Sequence, residues 1–124
     1  MKLKHPQGGF LDGLRMRSPL PGTAPAPRIM GPALTVKMVR ADDDDAPRPP
    51  RHFADYNRPG AIMYVQQPGG MYSACWGGLM STRAKYLGAE GVVVDGRVRD
   101  VGEHREMGFP VSNQRFSPPS SFDT

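Results

Sequence analysis

Cysteine is nearly absent from this chain, and long apolar runs are missing altogether. Cys75 is the only cysteine of the 124 residues, so an internal disulfide bond is excluded and a reducing compartment is the simpler expectation. No run approaches the roughly 20 apolar residues that a membrane-spanning helix needs, and the first residues lack the apolar centre of a signal peptide. We therefore expect a soluble cytoplasmic protein without membrane contact.

Apolar residues of all kinds are scarce as well. They make up 38% of the chain, whereas 15 glycines and 14 prolines together make up nearly a quarter of it. A core can therefore form in only part of the sequence, and the length allows one modest domain. The net charge of +4 comes from scattered basic residues, which argues against a nucleic-acid partner.

The apolar residues that are present predict an α/β order. Their spacing indicates strands at 32–39, 61–65 and 91–95, helices at 78–87 and 100–107, and the start of another strand at 109–111. Strand 61–65, helix 78–87 and strand 91–95 make one right-handed βαβ unit. Residues 1–30 mix glycine and proline with few apolar residues, and the prolines from residue 19 onward predict irregular structure throughout this range. The pattern fails after Val111, so we predict a domain at 1–111 and an irregular tail at 112–124.

Two glycines at the start of the first predicted helix mark a candidate anion site. Gly77 and Gly78 allow close approach to the backbone, and the free N–H groups of Gly78, Leu79 and Met80 would favour a carboxylate or phosphate. A glycine turn packed tightly against the preceding strand is the alternative interpretation of the same pair.

Arg99 and Asp100 follow the buried strand at the edge where ligands bind in open α/β sheets. Arg99 suits bidentate binding of a carboxylate, and Asp100 suits a hard cation such as Mg²⁺. Asp100 and Glu103 also have the spacing of a capping box, so helix capping explains Asp100 equally well at this point.

Other chemically notable residues receive ordinary interpretations. Four aspartates at 42–45 form a charged loop, because consecutive carboxylates repel one another and cannot all face one ion. We expect His104 to be solvated, Cys75 to be an inert buried thiol and Asp95 to support a turn. We also expect Arg97 at the surface and Trp76 and Tyr72 in the core or at a subunit contact.

Residues 76–111, WGGLMSTRAKYLGAEGVVVDGRVRDVGEHREMGFPV, contain a highly specific segment, GVVVDGRVRD. GGFLDGL (8–14), GPALTV (31–36) and RPGAIMYVQQP (58–68) precede it in order. Together these segments resemble the RraA-like family, which includes 4-hydroxy-4-methyl-2-oxoglutarate aldolases, with the greatest likeness to fungal members.

The resemblance implies an α/β fold of the swivelling β/β/α type, here incomplete at both ends, in a homotrimer or hexamer. It implies a class II aldolase that cleaves 2-oxo acids to pyruvate and also decarboxylates oxaloacetate. Carried over by position, Gly77, Gly78, Leu79 and Met80 would hold the pyruvyl group through backbone N–H groups. Arg99 would bind and polarise the substrate oxygens, and Asp100 would ligate Mg²⁺ or Mn²⁺.

Two rival interpretations remain. Some relatives are non-catalytic and inhibit an RNA-degrading endonuclease, but they tend to lack the metal-binding aspartate, so Asp100 favours the lyase. The second rival interpretation is an inactive fragment. In this interpretation the helices that usually precede GGFLDGL in the family are absent, and NQRFSPPSSFDT replaces the strand that usually continues after GFPV. Gly78 also stands where aldolase members commonly carry an acidic residue, which leaves the proton-transfer group to be identified.

Overall fold

Strands and helices alternate through most of the chain. The computed structural model describes residues 13–20, 22, 28–39, 51–69 and 73–114. In chain order the elements are β1 (Leu14–Ser18), β2 (Ala33–Lys37), a short 3-10 helix (Phe53–Tyr56), β3 (Ile62–Gln66), α1 (Gly78–Tyr86), β4 (Gly91–Asp95), α2 (Val101–Met107) and β5 (Val111–Gln114). Neither of these two α-helices is long and apolar enough to span a bilayer.

The five strands form one sheet in the order β1-β5-β4-β3-β2. Neighbouring strands from β2 to β5 are parallel, whereas β1 runs antiparallel to β5 at one edge. Gln66 pairs with Asp95, so the carboxyl ends of β3 and β4 lie side by side. The loops that leave these two ends therefore start from the same edge of the sheet.

The predicted α/β order is confirmed, and the strand–helix–strand unit is present in it. β4 has the predicted bounds, α1 is one residue shorter than predicted, and β3 begins and ends one residue later. Gly88 follows α1 with φ +85°, and its N–H donates to the carbonyl of Lys85, which ends the helix.

The prediction of irregular structure through residue 30 was wrong for residues 14–18, which form β1. The prolines that motivated it begin only at residue 19, after the strand has ended. β5 likewise continues to Gln114, past the point where the apolar pattern fails. Asn113 breaks that pattern because it is a buried polar residue, paired with Arg17 and with the carbonyl of Gly96.

One face of the sheet carries the core. Alternate residues of the central strands point to it, and the buried set is Met63, Val65, Val92, Val94 and Val111. Trp76 and Ala84 complete the cluster from the loop before α1 and from α1 itself.

Trp76 and Cys75 are buried, as predicted. The indole N–H of Trp76 donates to the hydroxyl of Ser81 at 2.7 Å, and burial raises the pKa of the Cys75 thiol. Tyr72 and the aspartates at 42–45 lie outside the described residues.

Candidate functional site

Two loops run side by side at the carboxyl edge of the sheet. The N–H of Cys75 donates to the carbonyl of Arg97 at 3.0 Å, and the N–H of Arg99 donates to the carbonyl of Trp76 at 2.9 Å. Trp76 and Val98 thereby form a short parallel bridge. This pairing places the glycine pair directly against Arg99 and Asp100, although 22 residues separate Gly78 from Asp100 in the sequence.

Asp100 caps α1, the helix that begins across the loop pair. Its Oδ2 accepts the N–H of Gly78 at 2.9 Å, and its side chain makes no capping bond to α2, the helix that it precedes. The capping box with Glu103, one of the two explanations that the sequence left open for Asp100, is therefore absent. Asp100 has φ 63°, a left-handed conformation that is uncommon outside glycine and occurs often at functional turns.

The first turn of α1 keeps two of its three predicted anion-binding donors. The N–H of Gly78 is already bonded to Asp100, so this part of the prediction is corrected. The N–H groups of Leu79 and Met80 have no helical acceptor at this position, and the described residues supply no other. They remain available to an anion at the positive end of the α1 dipole.

Arg99 extends into solvent beside this turn. Its side chain is 66% exposed, and its Nε lies 3.7 Å from Oδ2 of Asp100. A Cβ on Gly77 would lie only 2.7 Å from the same Nε, so glycine at this position makes room for the guanidinium. The arrangement leaves the fork of N–H groups of Arg99 able to receive a carboxylate.

Glu103 also reaches this turn, a position that the sequence did not predict. A Cβ on Gly78 would overlap Oε2 of Glu103, would lie 2.9 Å from its Cδ, and would lie 3.5 Å from Oδ2 of Asp100. The Glu103 carboxylate thus fills the space that a side chain at residue 78 would occupy. The sequence offered one signal, the three-residue spacing from Asp100 on the same helix face, which we interpreted as capping.

The prediction that His104 is solvated was wrong. The side chain is fully buried, and its Nε2 lies 2.7 Å from the carbonyl oxygen of Arg99. Because a carbonyl can only accept, Nε2 must carry the proton, and Nδ1 is left without a partner among the described residues. Burial lowers the pKa of His104, mainly by desolvation, so the neutral ring holds the Arg99–Asp100 turn.

Asp95 belongs to a separate cluster. Its carboxylate accepts from the side-chain amide of Gln114 and from the hydroxyl of Tyr64, whose pKa is raised by burial first and by Asp95 second. Arg97 is half-buried, and its backbone N–H donates to Gln67 at 3.1 Å. These contacts agree with a supporting role for Asp95 and place neither side chain with Asp100.

The carboxylates of Asp100 and Glu103 at this turn suit a hard divalent cation that is held by few protein ligands. Within the described parts of the chain no three acidic, histidine or cysteine side chains form a metal-binding group. The carboxylate of Asp100 is 39% exposed, and that of Glu103 approaches the same point. Mg²⁺ commonly binds in this way, through one or two carboxylates with water and substrate oxygens.

Comparison with known proteins gives one family and several relatives. The model of the RraA-like family, described as Aldolase/RraA, matches residues 10–123. A Halalkalibacterium halodurans protein, whose provisional name is 4-hydroxy-4-methyl-2-oxoglutarate aldolase, is 31% identical over 103 residues, which are 82% of this chain and 47% of that protein. An uncharacterized Methanocaldococcus jannaschii protein is 50% identical over 46 residues, or 37% of this chain and 22% of its own.

Solved structures agree on the fold. A Streptomyces coelicolor protein, described as an unusual member of the RNase ES inhibitor RraA protein family, superimposes with a TM-score of 0.56 at 30% identity, covering 69% of this chain and 42% of that one. An uncharacterized Pseudomonas syringae protein has a TM-score of 0.62 at 24% identity, with 83% and 44% covered. The chain spans less than half the length of each of these four relatives.

Proposed function

Because the chain belongs to the RraA-like family, we propose that it acts in the metal-dependent cleavage of 4-hydroxy-2-oxo dicarboxylic acids to pyruvate. The substrates are of the 4-hydroxy-4-methyl-2-oxoglutarate type, and oxaloacetate decarboxylation is a second reaction at the same site. The observation that supports this proposal most is the meeting of four groups at one turn: the N–H groups of Leu79 and Met80, the guanidinium of Arg99 and the carboxylate of Asp100.

These groups suit the binding of a 2-oxo acid. The two N–H groups and the positive end of α1 favour the substrate carboxylate, and Arg99 can donate two parallel hydrogen bonds to its oxygens. The positive guanidinium of Arg99 also stabilises negative charge as it develops on the 2-oxo oxygen during carbon–carbon cleavage.

Asp100 is the residue that we propose to hold Mg²⁺ or Mn²⁺, with Glu103 close beside it. A cation there would supply Lewis-acid polarisation of the 2-oxo group. Aldol cleavage and oxaloacetate decarboxylation both produce the enolate of pyruvate, so stabilisation of this one species accounts for both reactions. We further propose that the protein works as a homotrimer or hexamer.

A second candidate function is inhibition of an RNA-degrading endonuclease. The observation that favours it is the likeness to the Streptomyces coelicolor protein, which is described as a member of an RNase inhibitor family. Such a regulator needs a protein-binding surface but no metal, so its function would not depend on Asp100.

We expect the chain to release pyruvate from oxaloacetate and from 4-hydroxy-4-methyl-2-oxoglutarate when Mg²⁺ is present. The release of pyruvate should stop when EDTA is added. Asp100→Asn should lower the rate more than about 100-fold, because the amide is a poor metal ligand. Its side-chain oxygen can still accept the Gly78 N–H, so the melting temperature should change little. A coupled pyruvate assay and a thermal melt measure the two quantities.

Glu90→Gln is the matched control, because Glu90 is an exposed carboxylate just before β4, away from the Arg99–Asp100 turn. It should leave the rate unchanged. Pyruvate release that survives EDTA or Asp100→Asn contradicts the metal role. A chain that releases no pyruvate but inhibits purified RNase ES in an RNA-cleavage assay has the second function instead.

A further inference from the structure

We propose that Glu103 is the proton-transfer residue of this site, taking the proton of the substrate 4-hydroxyl group as the adjacent carbon–carbon bond breaks. The inference rests on the proposed function and adds a residue to it. It starts from one observation, the carboxylate of Glu103 in the space that a side chain at Gly78 would fill.

The position of Glu103 places its carboxylate over the first turn of α1. A Cβ on Gly78 would overlap its Oε2 and would lie 3.5 Å from Oδ2 of Asp100, so both carboxylates approach the same point. The available N–H groups of Leu79 and Met80 belong to the same turn. A substrate held there by those donors has the Glu103 carboxylate within its reach.

The other polar groups at the turn are already committed. The guanidinium of Arg99 has only hydrogen-bond donors and cannot act as a base, and Asp100 accepts the N–H of Gly78. His104 is buried and bonded to the carbonyl of Arg99. Glu103 is exposed and forms no hydrogen bond or ion pair with any residue that the structure describes, so its carboxylate is free to accept a proton.

The step balances without a further reagent. Glu103 accepts the proton of the 4-hydroxyl group, the oxygen electron pair forms a C4 carbonyl, and the pair from the broken C3–C4 bond passes to C3 as an enolate. The protonated Glu103 then returns the proton to C3, which becomes the methyl group of pyruvate. With 4-hydroxy-4-methyl-2-oxoglutarate both products are pyruvate, and nothing is oxidised or reduced.

Oxaloacetate distinguishes this role from a structural one. It has no 4-hydroxyl group and loses carbon dioxide, so its decarboxylation needs no base at that position. The enolate that results can take its proton from water. Removal of the Glu103 carboxylate should therefore affect cleavage much more than decarboxylation.

The test compares Glu103→Gln with Glu106→Gln, an exposed glutamate one turn further along α2. We expect Glu103→Gln to lower kcat for cleavage by about 100-fold or more, with KM little changed. The rate of oxaloacetate decarboxylation should stay within about 3-fold of the rate of the unmodified chain. This change is smaller than the rate enhancement that general acid–base catalysis usually contributes. Binding of Mn²⁺, followed by electron paramagnetic resonance, should be unchanged, and Glu106→Gln should alter none of these.

Relocation of the carboxylate gives a second test. In the double variant Gly78→Asp with Glu103→Ala, the new side chain enters the space that Glu103 leaves. It should cleave substrate faster than Glu103→Ala alone.

Three results would overturn the inference while leaving the proposed function intact. Cleavage by Glu103→Gln at the normal rate removes any role for the residue. An equal loss of both reactions points to a structural effect, and weaker Mn²⁺ binding points to a metal ligand. Absence of both reactions in the unmodified chain contradicts the proposed function itself, and this role with it.

Discussion

His104 is a buried histidine that holds the Arg99–Asp100 turn through one hydrogen bond. Its Nε2 donates to the carbonyl of Arg99, the residue before the left-handed Asp100. Protonation of Nδ1 would place a charge in the interior without an acceptor among the described residues. The imidazole therefore stays neutral in the folded chain, in agreement with its lowered pKa.

This burial predicts a loss of stability in mild acid. In the unfolded chain the histidine binds a proton near its ordinary pKa of about 6.5, whereas in the folded chain the lowered pKa delays protonation. The contribution of the neutral, buried His104 to the free energy of unfolding is thus fully present at pH values above about 6.5. As the pH falls below this value the contribution is lost, and the free energy of unfolding decreases by at most about 1.4 kcal/mol per pH unit. Urea unfolding at several pH values between 5 and 7.5 measures the slope.

His104→Gln is the control for this slope, since its side-chain N–H can still reach the carbonyl of Arg99 and it does not titrate. The free energy of unfolding of this variant should depend less steeply on pH than that of the unmodified chain. Equal slopes for the two chains would contradict the assignment to His104.

The burial of His104 had a signal in the sequence that charge obscured. Val101 and Met107 flank it at three-residue spacing, and both pack against the core, so His104 lies within their apolar stripe. The charged neighbours Glu103, Arg105 and Glu106 on the same helix suggested solvent instead. Helical position was the better guide here than local composition.

At the scale of elements, α1 is tied to the core by one buried hydrogen bond near its start. The indole N–H of Trp76 donates to the hydroxyl of Ser81 at 2.7 Å, and both residues are fully buried. Because both residues are buried, loss of either partner would leave the other polar group without a hydrogen bond in the interior.

Ser81→Ala should lower the free energy of unfolding by about 1–3 kcal/mol, because it leaves the Trp76 donor buried without an acceptor. Thr82→Ala is the matched control on the same helix. Thr82 is exposed and its hydroxyl bonds to the carbonyl of Gly78 at 3.0 Å, so its loss should change stability by less than about 0.5 kcal/mol. Urea unfolding followed by tryptophan fluorescence checks both, and similar losses in the two variants would refute the argument.

The elements that the sequence predicted well are the ones whose side chains follow a simple period. β4 is a continuous β-branched run, and its bounds were predicted without error. β1 escaped detection because arginines alternate along it, and only the start of β5 was predicted, because Asn113 faces inward beyond it. Their stability comes from pairing with each other and from hydrogen bonds to buried polar groups, which only the tertiary structure supplies.

At the scale of the whole molecule, the site depends on strand order. Parallel pairing of β3 with β4 brings the loop before α1 to the loop before α2, so the approach of the glycine pair to Arg99 and Asp100 was predictable from the topology rule. The topology rule does not predict the hydrogen bond between Gly78 and Asp100, and it does not predict where the Glu103 carboxylate lies. Those depend on helix directions and side-chain rotamers, for which the sequence has no periodic signal.

Two large apolar side chains on α1 remain exposed in the single chain. Leu79 is 87% exposed and Tyr86 is 80% exposed, and the guanidinium of Arg83 lies over the Tyr86 ring at 5.7 Å. Leu79 and Tyr86 are seven residues apart, so they share one face of the helix. An exposed apolar face of this kind commonly becomes a contact between protein chains.

We therefore expect the chain to self-associate through α1, with a mass by light scattering of three or six times its 13.6 kDa. Tyr86→Lys should shift the population towards monomer, because burial of the new charge opposes association. Thr35→Lys, which adds the same charge at an exposed position of β2, away from α1, should have a smaller effect. A monomer at all micromolar concentrations, or equal effects of the two variants, would contradict a contact through this face.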